Sequence, residues 1–434
     1  MMPSDRALDQ LSEDHARALD AADPLARFRD RFFVPEGQIY LDGNSLGLLS
    51  VDAERAVLNA LGSWKTQGIA GWLEGDPPWF MLGEDLGERM ASLVGATPGS
   101  VVVTGTTTVN LHQMLGTFYR PEEQRRRVVA TGLDFPSDVY AIQSQIRLHG
   151  GDPERDLVLV PSRDGRTIAE DDLIAAIDEH VALVMLPSVL YRSGQLLDIP
   201  RLAAAANAAG ALIGLDCAHS VGALPHDLDG WDIDFAIWCT YKYLNAGPGA
   251  VGALYVNPRH FGTMPVLAGW WGYRKDRQFD MVHHWEGAAG AGAWQISTIP
   301  LLSAAAVLGS LAIFEEAGID AIRAKSLAQT DYLIDLIEGS GLRDEPYCYR
   351  IGTPRDHARR GGHVAVEHDD GLRISIALKA RGIVVDFRQP DVIRLAPVAL
   401  YTTYEEIRRT VGNLREIIDT GAHLDVEVAT GQVT

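Results

Sequence analysis

A chain of 434 residues, 47% of them hydrophobic, is long enough to bury one large core and a second, smaller one. Its formal net charge of −20, from 38 basic against 58 acidic residues spread along the chain, argues against a nucleic-acid partner, because phosphate binding needs a basic face. No apolar run approaches the ~20 residues that span a bilayer.

The opening stretch, through Phe33, mixes charges at helical spacing and lacks the apolar centre of a secretion signal. Residues 1–50 are expected to form an arm that packs with a small C-terminal domain. Amphipathic helices follow in "DAERAVLNALGSWKTQ" and "GEDLGERMASLVGA". Short apolar runs, "SVVVTG", "RRVVATG", "DLVLVP", "VALVMLPS", "ALIGLDCAHS" and "DFAIWCT", then alternate with helical segments such as "EDDLIAAIDEH" and "IPRLAAAANAAG". This alternation predicts an α/β fold with a mostly parallel sheet covered on both faces, over residues 51–310. Near Pro300 the pattern changes to long helices, and beyond Gly361 strand-like "HVAVEH", "IVVDFR" and "VIRLAPVALY" surround a helix in "GLRISIALKARG". Residues 311–434 are read as a small mixed domain. Cys217, Cys239 and Cys348 show no paired spacing and suit a reducing, cytoplasmic setting.

"GPGAVG", Gly247 to Gly252, matches a dinucleotide fingerprint in form. It precedes the strand pattern "ALYV", where the chemistry requires a helix whose N-terminus meets pyrophosphate. A dehydrogenase reading fails there.

Four segments, in chain order, carry a different chemistry. "VVVTGTTTVNLHQML" reads as strand, polar loop and helix, with Thr106, Thr107 and Thr108 where backbone N–H groups and hydroxyls cradle an anion, although Thr is also an ordinary N-cap. "TGLDFPSDVYA" offers Phe135 to stack on a flat ring and Asp138 to accept a hydrogen bond, or simply a Pro-opened helix with an acidic first turn. "LIGLDCAHSVG" ends a strand on Asp216, a carboxylate that needs a cationic partner such as a protonated pyridine nitrogen. His219 lies beside such a ring or is a structural histidine. In "DFAIWCTYKYLNAGPG", Lys242 leaves an apolar strand, placed to form an imine with an aldehyde or to sit at the surface. All four fall at strand ends of one predicted sheet, where open α/β sheets gather their sites.

These segments, with "YLDGNSLGLL", "GTTTVNLH", "FPSD", "DCAHSVG", "WCTYKYLNAGPG", "GWWG" and "IRLAPVALY", closely resemble the kynureninase family over about Tyr40 to Tyr401. The resemblance implies a fold-type-I, aspartate-aminotransferase-like enzyme: a large domain with a mostly parallel seven-stranded sheet, a small α/β C-terminal domain, and pyridoxal 5′-phosphate as cofactor, with no metal. It implies Lys242 as the Schiff-base lysine and Asp216 as the pyridinium partner. Thr107, Thr108 and Tyr241 would hold the phosphate, with Phe135 stacking and Asp138 and His219 completing the cofactor shell. Trp270 would reach the phosphate from the neighbouring subunit of a homodimer, and Thr298 would sit by both cofactor and substrate. Asn44, Ser45, Trp72 and Arg394 would contact substrate, Arg394 as the α-carboxylate clamp. The implied reaction hydrolyses L-kynurenine, or a substituted kynurenine, to anthranilate or its derivative and L-alanine, in kynurenine catabolism or specialised metabolism. Tyr241 would move protons, or only bind phosphate.

Trp72 and Thr298 look like the kynurenine-preferring pattern, since a His and Asn pair would serve a 3-hydroxyl. Two departures stand out: Tyr273 replaces the histidine of "GWWGH", and Pro187 stands where some members carry Ser, with Ser188 adjacent. Rival readings are a cysteine desulfurase or selenocysteine lyase, for which Cys348 lacks a Gly-rich mobile loop, and a cofactor-binding regulator without catalysis, which would not need a substrate clamp.

Overall fold

The structure, a computed structural model, describes residues 12–427. Its main sheet has seven strands: β2 (Val101–Val103), β3 (Arg127–Thr131), β4 (Leu157–Val160), β5 (Val181–Pro187), β6 (Leu212–Asp216), β7 (Phe235–Cys239) and β8 (Gly252–Val256), in the order β2-β8-β7-β6-β5-β3-β4. Neighbours from β7 to β4 run parallel, and β8 alone is reversed, antiparallel to both β7 and β2. Every residue of β5, β7 and β8 is buried, which is why these segments read as unbroken apolar runs. Alternate side chains divide between two cores. Ala236 and Trp238 of β7 join one, and Phe235 and Ile237 the other, as the two-residue period of a strand requires.

Helices cover both faces. Among them are α2 (Val51–Gln67), α3 (Leu82–Ala91), α4 (Thr107–Phe118), α5 (Pro136–Leu148), α6 (Ile199–Ala209) and α7 (Leu301–Ala317), with α1 (Glu13–Ala21) preceding them in the chain. Ser50 starts α2 by accepting the Ala53 N–H at 3.0 Å. Gly309 of α7 lets the two backbones touch, because a Cβ there would come within 2.3 Å of the Asp52 backbone. Among the described residues no single helix is long and apolar enough to cross a membrane.

A second core lies around an antiparallel sheet, β12-β13-β10-β9, built from β9 (Arg350–Ile351), β10 (Val364–Glu367), β12 (Asp386–Arg388) and β13 (Val392–Leu395). It packs with α8 (Ile319–Gly339), α9 (Gly371–Ala380) and α10 (Tyr404–Asp419), the last opened by a Thr403–Glu406 capping box. The N-terminal segment serves both cores: Ala16, Ile39 and Leu41 enter the second, while Leu25, Phe28 and Phe32 enter the first. Asp20 accepts the Tyr404 and Glu405 N–H groups at 2.7 and 3.1 Å, and Arg29 grips Glu406 at 2.9 and 2.7 Å.

Two strand readings are shorter than the sequence pattern. "IVVDFR" divides at Val385: β11 (Ile383–Val384) pairs in parallel with β1 (Ile39–Tyr40), while β12 pairs with β13. "VIRLAPVALY" is a strand only to Leu395, because Pro397 has no N–H to continue a ladder. Ala396 instead bridges to Asp42.

Candidate active site

The parallel strands end along one edge of the main sheet, and a cleft opens there. Thr107, Thr108, Phe135, Asp138, Asp216, His219, Tyr241 and Lys242 all line it, so residues far apart in sequence meet as the motif reading expects. Ser137, Pro187, Val189, Tyr191 and Ala218 complete the wall.

Asp216 is the last residue of β6, and its Oδ1 accepts the Ala218 N–H at 2.8 Å. Asp138, in the first turn of α5, faces it, and burial followed by the Asp216 charge pushes the Asp138 carboxyl well above its ordinary range. A third buried acid, Asp134, accepts from Thr131 N at 3.1 Å and Thr131 Oγ1 at 2.5 Å, and burial pushes it up to about 7. Three buried acids crowd this edge at a cost to their ionised forms, a cost that a protonated ring nitrogen beside Asp216 would offset.

The Lys242 Nζ lies 3.0 Å from His219 Nε2. Burial, then the nearby Lys242 charge, holds His219 well below the usual imidazole range, so the ring is neutral. A neutral ring accepting from an ammonium at Nε2 carries its proton at Nδ1, which is buried without a partner. Burial and then the Cys239 thiol push the Tyr241 phenol up, so it is a proton donor and not a phenolate.

Across the cleft, α4 begins without a side-chain cap: Thr106 is extended (φ −130°, ψ 162°), and while its carbonyl accepts the Asn110 N–H, its side chain accepts nothing from the first turn. Its N–H groups are left for a ligand, flanked by the Thr108 and Ser137 hydroxyls, 3.0 Å apart. Gly252 of β8 backs this turn, where a Cβ would press to 3.2 Å from Thr107 N. An unsatisfied anion cradle, an acid pair seeking a cation and an amine in one cleft fit pyridoxal phosphate in charge and donor type.

Arg394, on β13, is buried and not part of the cleft wall in this chain, but its Nη1 donates to the carbonyl of the wall residue Tyr191 at 2.8 Å. Its Nη2 donates to Ser45 Oγ at 2.9 Å. The loop that carries Ser45 is pinned to the lysine turn by Gly47 N–H to Tyr241 O, at 2.8 Å. Asn44 in the same loop is fully buried, and neither atom of its amide has a partner.

Three expected residues lie elsewhere. Trp72 sits in an aromatic cluster, its ring 5.6 Å from Trp79 and 5.3 Å from Trp271. Trp270 is half exposed beside Trp271 and Phe279, and Thr298 is exposed. Of the two departures, Tyr273 is buried with no partner for its hydroxyl, and Pro187 lines the cleft. Ser188 turns away, its Oγ 2.6 Å from Ser220 Oγ. Motif reading passed over Asp134, Ser137 and Tyr191; the acid in "LDFPSD" was a visible signal, whereas Tyr191 follows a strand with nothing local to mark it.

The family model described as "Kynureninase C-terminal domain" matches residues 322–414. A kynureninase of Geobacillus thermodenitrificans is 53% identical over 405 residues, covering 93% of this chain and 94% of that protein. One from Shouchella clausii is 54% identical over 407 residues, 94% of each. Among solved structures, the apo cysteine desulfurase of Thermococcus onnurineus aligns with TM-score 0.75 over 91% of this chain and 98% of that one. At 18% identity that likeness speaks for the fold alone. With relatives this similar along nearly its whole length, the chain belongs to the kynureninase family.

Proposed function

We propose that this chain is a pyridoxal phosphate-dependent hydrolase that converts L-kynurenine and water to anthranilate and L-alanine. The observation that carries the reading is the meeting of Lys242, His219, Asp216, Asp138 and Tyr241 in one cleft against the open N-terminus of α4. Thr107, Thr108 and the α4 N–H groups would hold the phosphate, Asp216 the ring nitrogen, and Lys242 the aldehyde carbon. Bound there, the cofactor supplies a carbonyl that condenses with amines and a cationic ring that withdraws electrons from Cα.

The remaining work falls to the chain. Arg394 and Ser45 bind the α-carboxylate and so orient Cα toward Lys242. Lys242, once free as an amine, takes the Cα proton, and neutral His219 accepts a hydrogen bond from its Nζ. Asp216, supported by the acid Asp138, keeps the ring nitrogen protonated. The Tyr241 phenol gives and retakes a proton as water adds to the aryl ketone and the Cβ–Cγ bond breaks.

The finer readings belong to the same proposal. The enzyme is a homodimer in which Trp270 of each copy completes the site of the other, supported by the half-exposed aromatic surface of Trp270, Phe279 and Trp64. Trp72 and Thr298 favour kynurenine over its 3-hydroxy form, since neither offers the His and Asn pair that would bond the hydroxyl. A cytoplasmic setting is supported by three free thiols. The test is a substrate panel on holoenzyme: anthranilate fluorescence from L-kynurenine is expected, and sulfide release from cysteine with no anthranilate would overturn the reading.

A further inference from the structure

Arg394 lies directly opposite Asp386 in the antiparallel pairing of β13 with β12, and both side chains are 1% exposed. Arg394 Nε and Nη2 both donate to Asp386 Oδ2. With Nη1 on the Tyr191 carbonyl and Nη2 also on Ser45, four of the five N–H groups of the guanidinium are directed and one on Nη1 is left. Arg388 Nε lies 3.0 Å from the same Oδ2 as an ion pair without a hydrogen bond, so two guanidinium groups meet one carboxylate. The other acid in reach is Asp42, whose carboxyl burial pushes to about 6 and whose Oδ1 is buried without a partner.

We propose that Asp386 is a positioning residue for the substrate carboxylate: it holds the Nε–Nη2 edge of Arg394, so that the free Nη1 N–H and the Ser45 hydroxyl form the face offered to the ligand. The inference rests on the reading of Arg394 as the clamp. A guanidinium on a three-carbon stem has many rotamers, and fixing one edge with a buried carboxylate leaves the opposite edge pre-organised. Without that anchor the buried guanidinium would turn toward another acceptor, and its free N–H would lose its direction.

The test uses holoenzyme with Asp386→Asn, which keeps shape and removes charge, and Asp386→Glu, which keeps charge and shifts it by one methylene. D386N is expected to raise KM for L-kynurenine about tenfold or more while kcat stays within about threefold. Inhibition by the decarboxylated amine of kynurenine, which has no carboxylate to clamp, is expected to change less than about twofold. D386E is expected to fall between D386N and the parent enzyme. Should D386N fail to fold, judged by its melting temperature and circular dichroism, D386E carries the same readout. An unchanged KM, or equal weakening toward kynurenine and the decarboxylated amine, would overturn the proposal. Arg394→Ala separates the two readings: if it leaves KM unaltered, the clamp itself falls and Asp386 with it. If it raises KM while D386N does not, only the role of Asp386 falls.

Discussion

The cleft at the sheet edge and the aromatic surface around Trp72 and Trp270 are built differently. In the cleft, groups from β6, the β7 exit, α4 and α5 lie within hydrogen-bond reach of one another, as in the 3.0 Å contact of Lys242 with His219. At the aromatic surface, Trp270, Phe279 and Trp64 are 50%, 67% and 61% exposed, and Thr298 faces outward. One region is chemically assembled within a single chain; the other leaves apolar rings half or more uncovered by the described residues. Polar groups find each other through directional bonds inside one fold, whereas an uncovered apolar surface gains by being covered. On the function proposed above, the first region would carry the reaction chemistry and the second assembly and ring recognition.

The largest effect that could break this division comes from Lys242→Ala. Turnover of kynurenine is expected to fall by at least about 10³-fold with the fold retained, measured by anthranilate fluorescence and circular dichroism. Near-normal turnover would remove the cleft from the chemistry. Arg394→Ala should lower kcat/KM by roughly two powers of ten, through loss of a charge-assisted clamp.

The aromatic surface is tested by Trp270→Ala. Apparent cofactor affinity is expected to drop about tenfold, with the drop vanishing in a mixture with a Lys242→Ala chain that supplies an intact Trp270. No change in cofactor affinity would detach this surface from the site. Thr298→Asn sharpens the same region: the ratio of 3-hydroxykynurenine to kynurenine turnover is expected to rise about three- to tenfold if a hydrogen bond to the extra hydroxyl is gained.

The smallest effect concerns Asp134. Its carboxyl is raised from 3.8 to about 7 by burial, so the folded state binds this proton more tightly than the unfolded chain. That contribution is fully present below about pH 4 and is lost as pH rises through about 7. Asp134→Asn should therefore raise the melting temperature of cofactor-free protein by a few degrees at pH 8 relative to the parent, with little difference at pH 4. A constant offset across that range would contradict the assignment.

Much of this was legible in the residue pattern, for reasons that differ by element. Unbroken apolar runs such as "DFAIWCT" announce strands buried on both faces, and the punctuation after them announces where side chains leave the sheet. Lys242 and Asp216 were visible because an ionisable group ending such a run needs a partner. Tyr191 and Asp386 were not: Tyr191 matters through its carbonyl to Arg394, 203 residues away, and Asp386, only eight residues from Arg394, matters through the register of β12 with β13.

The sequence by itself determined the α/β alternation, the turns that end β6 and β7, and the identities of the amine, acids and phenol, because these follow from local periodicity and from the cost of isolated buried charge. Only the tertiary structure decided that the Asp42–Gly47 loop is stitched between the lysine turn and β13, that Arg394 is anchored by Asp386, and that Ser45 shares its other edge. The loop contacts join segments as far as 349 residues apart, and the Arg394–Asp386 pair, eight residues apart, needs the register of β12 with β13; neither is encoded in a local pattern.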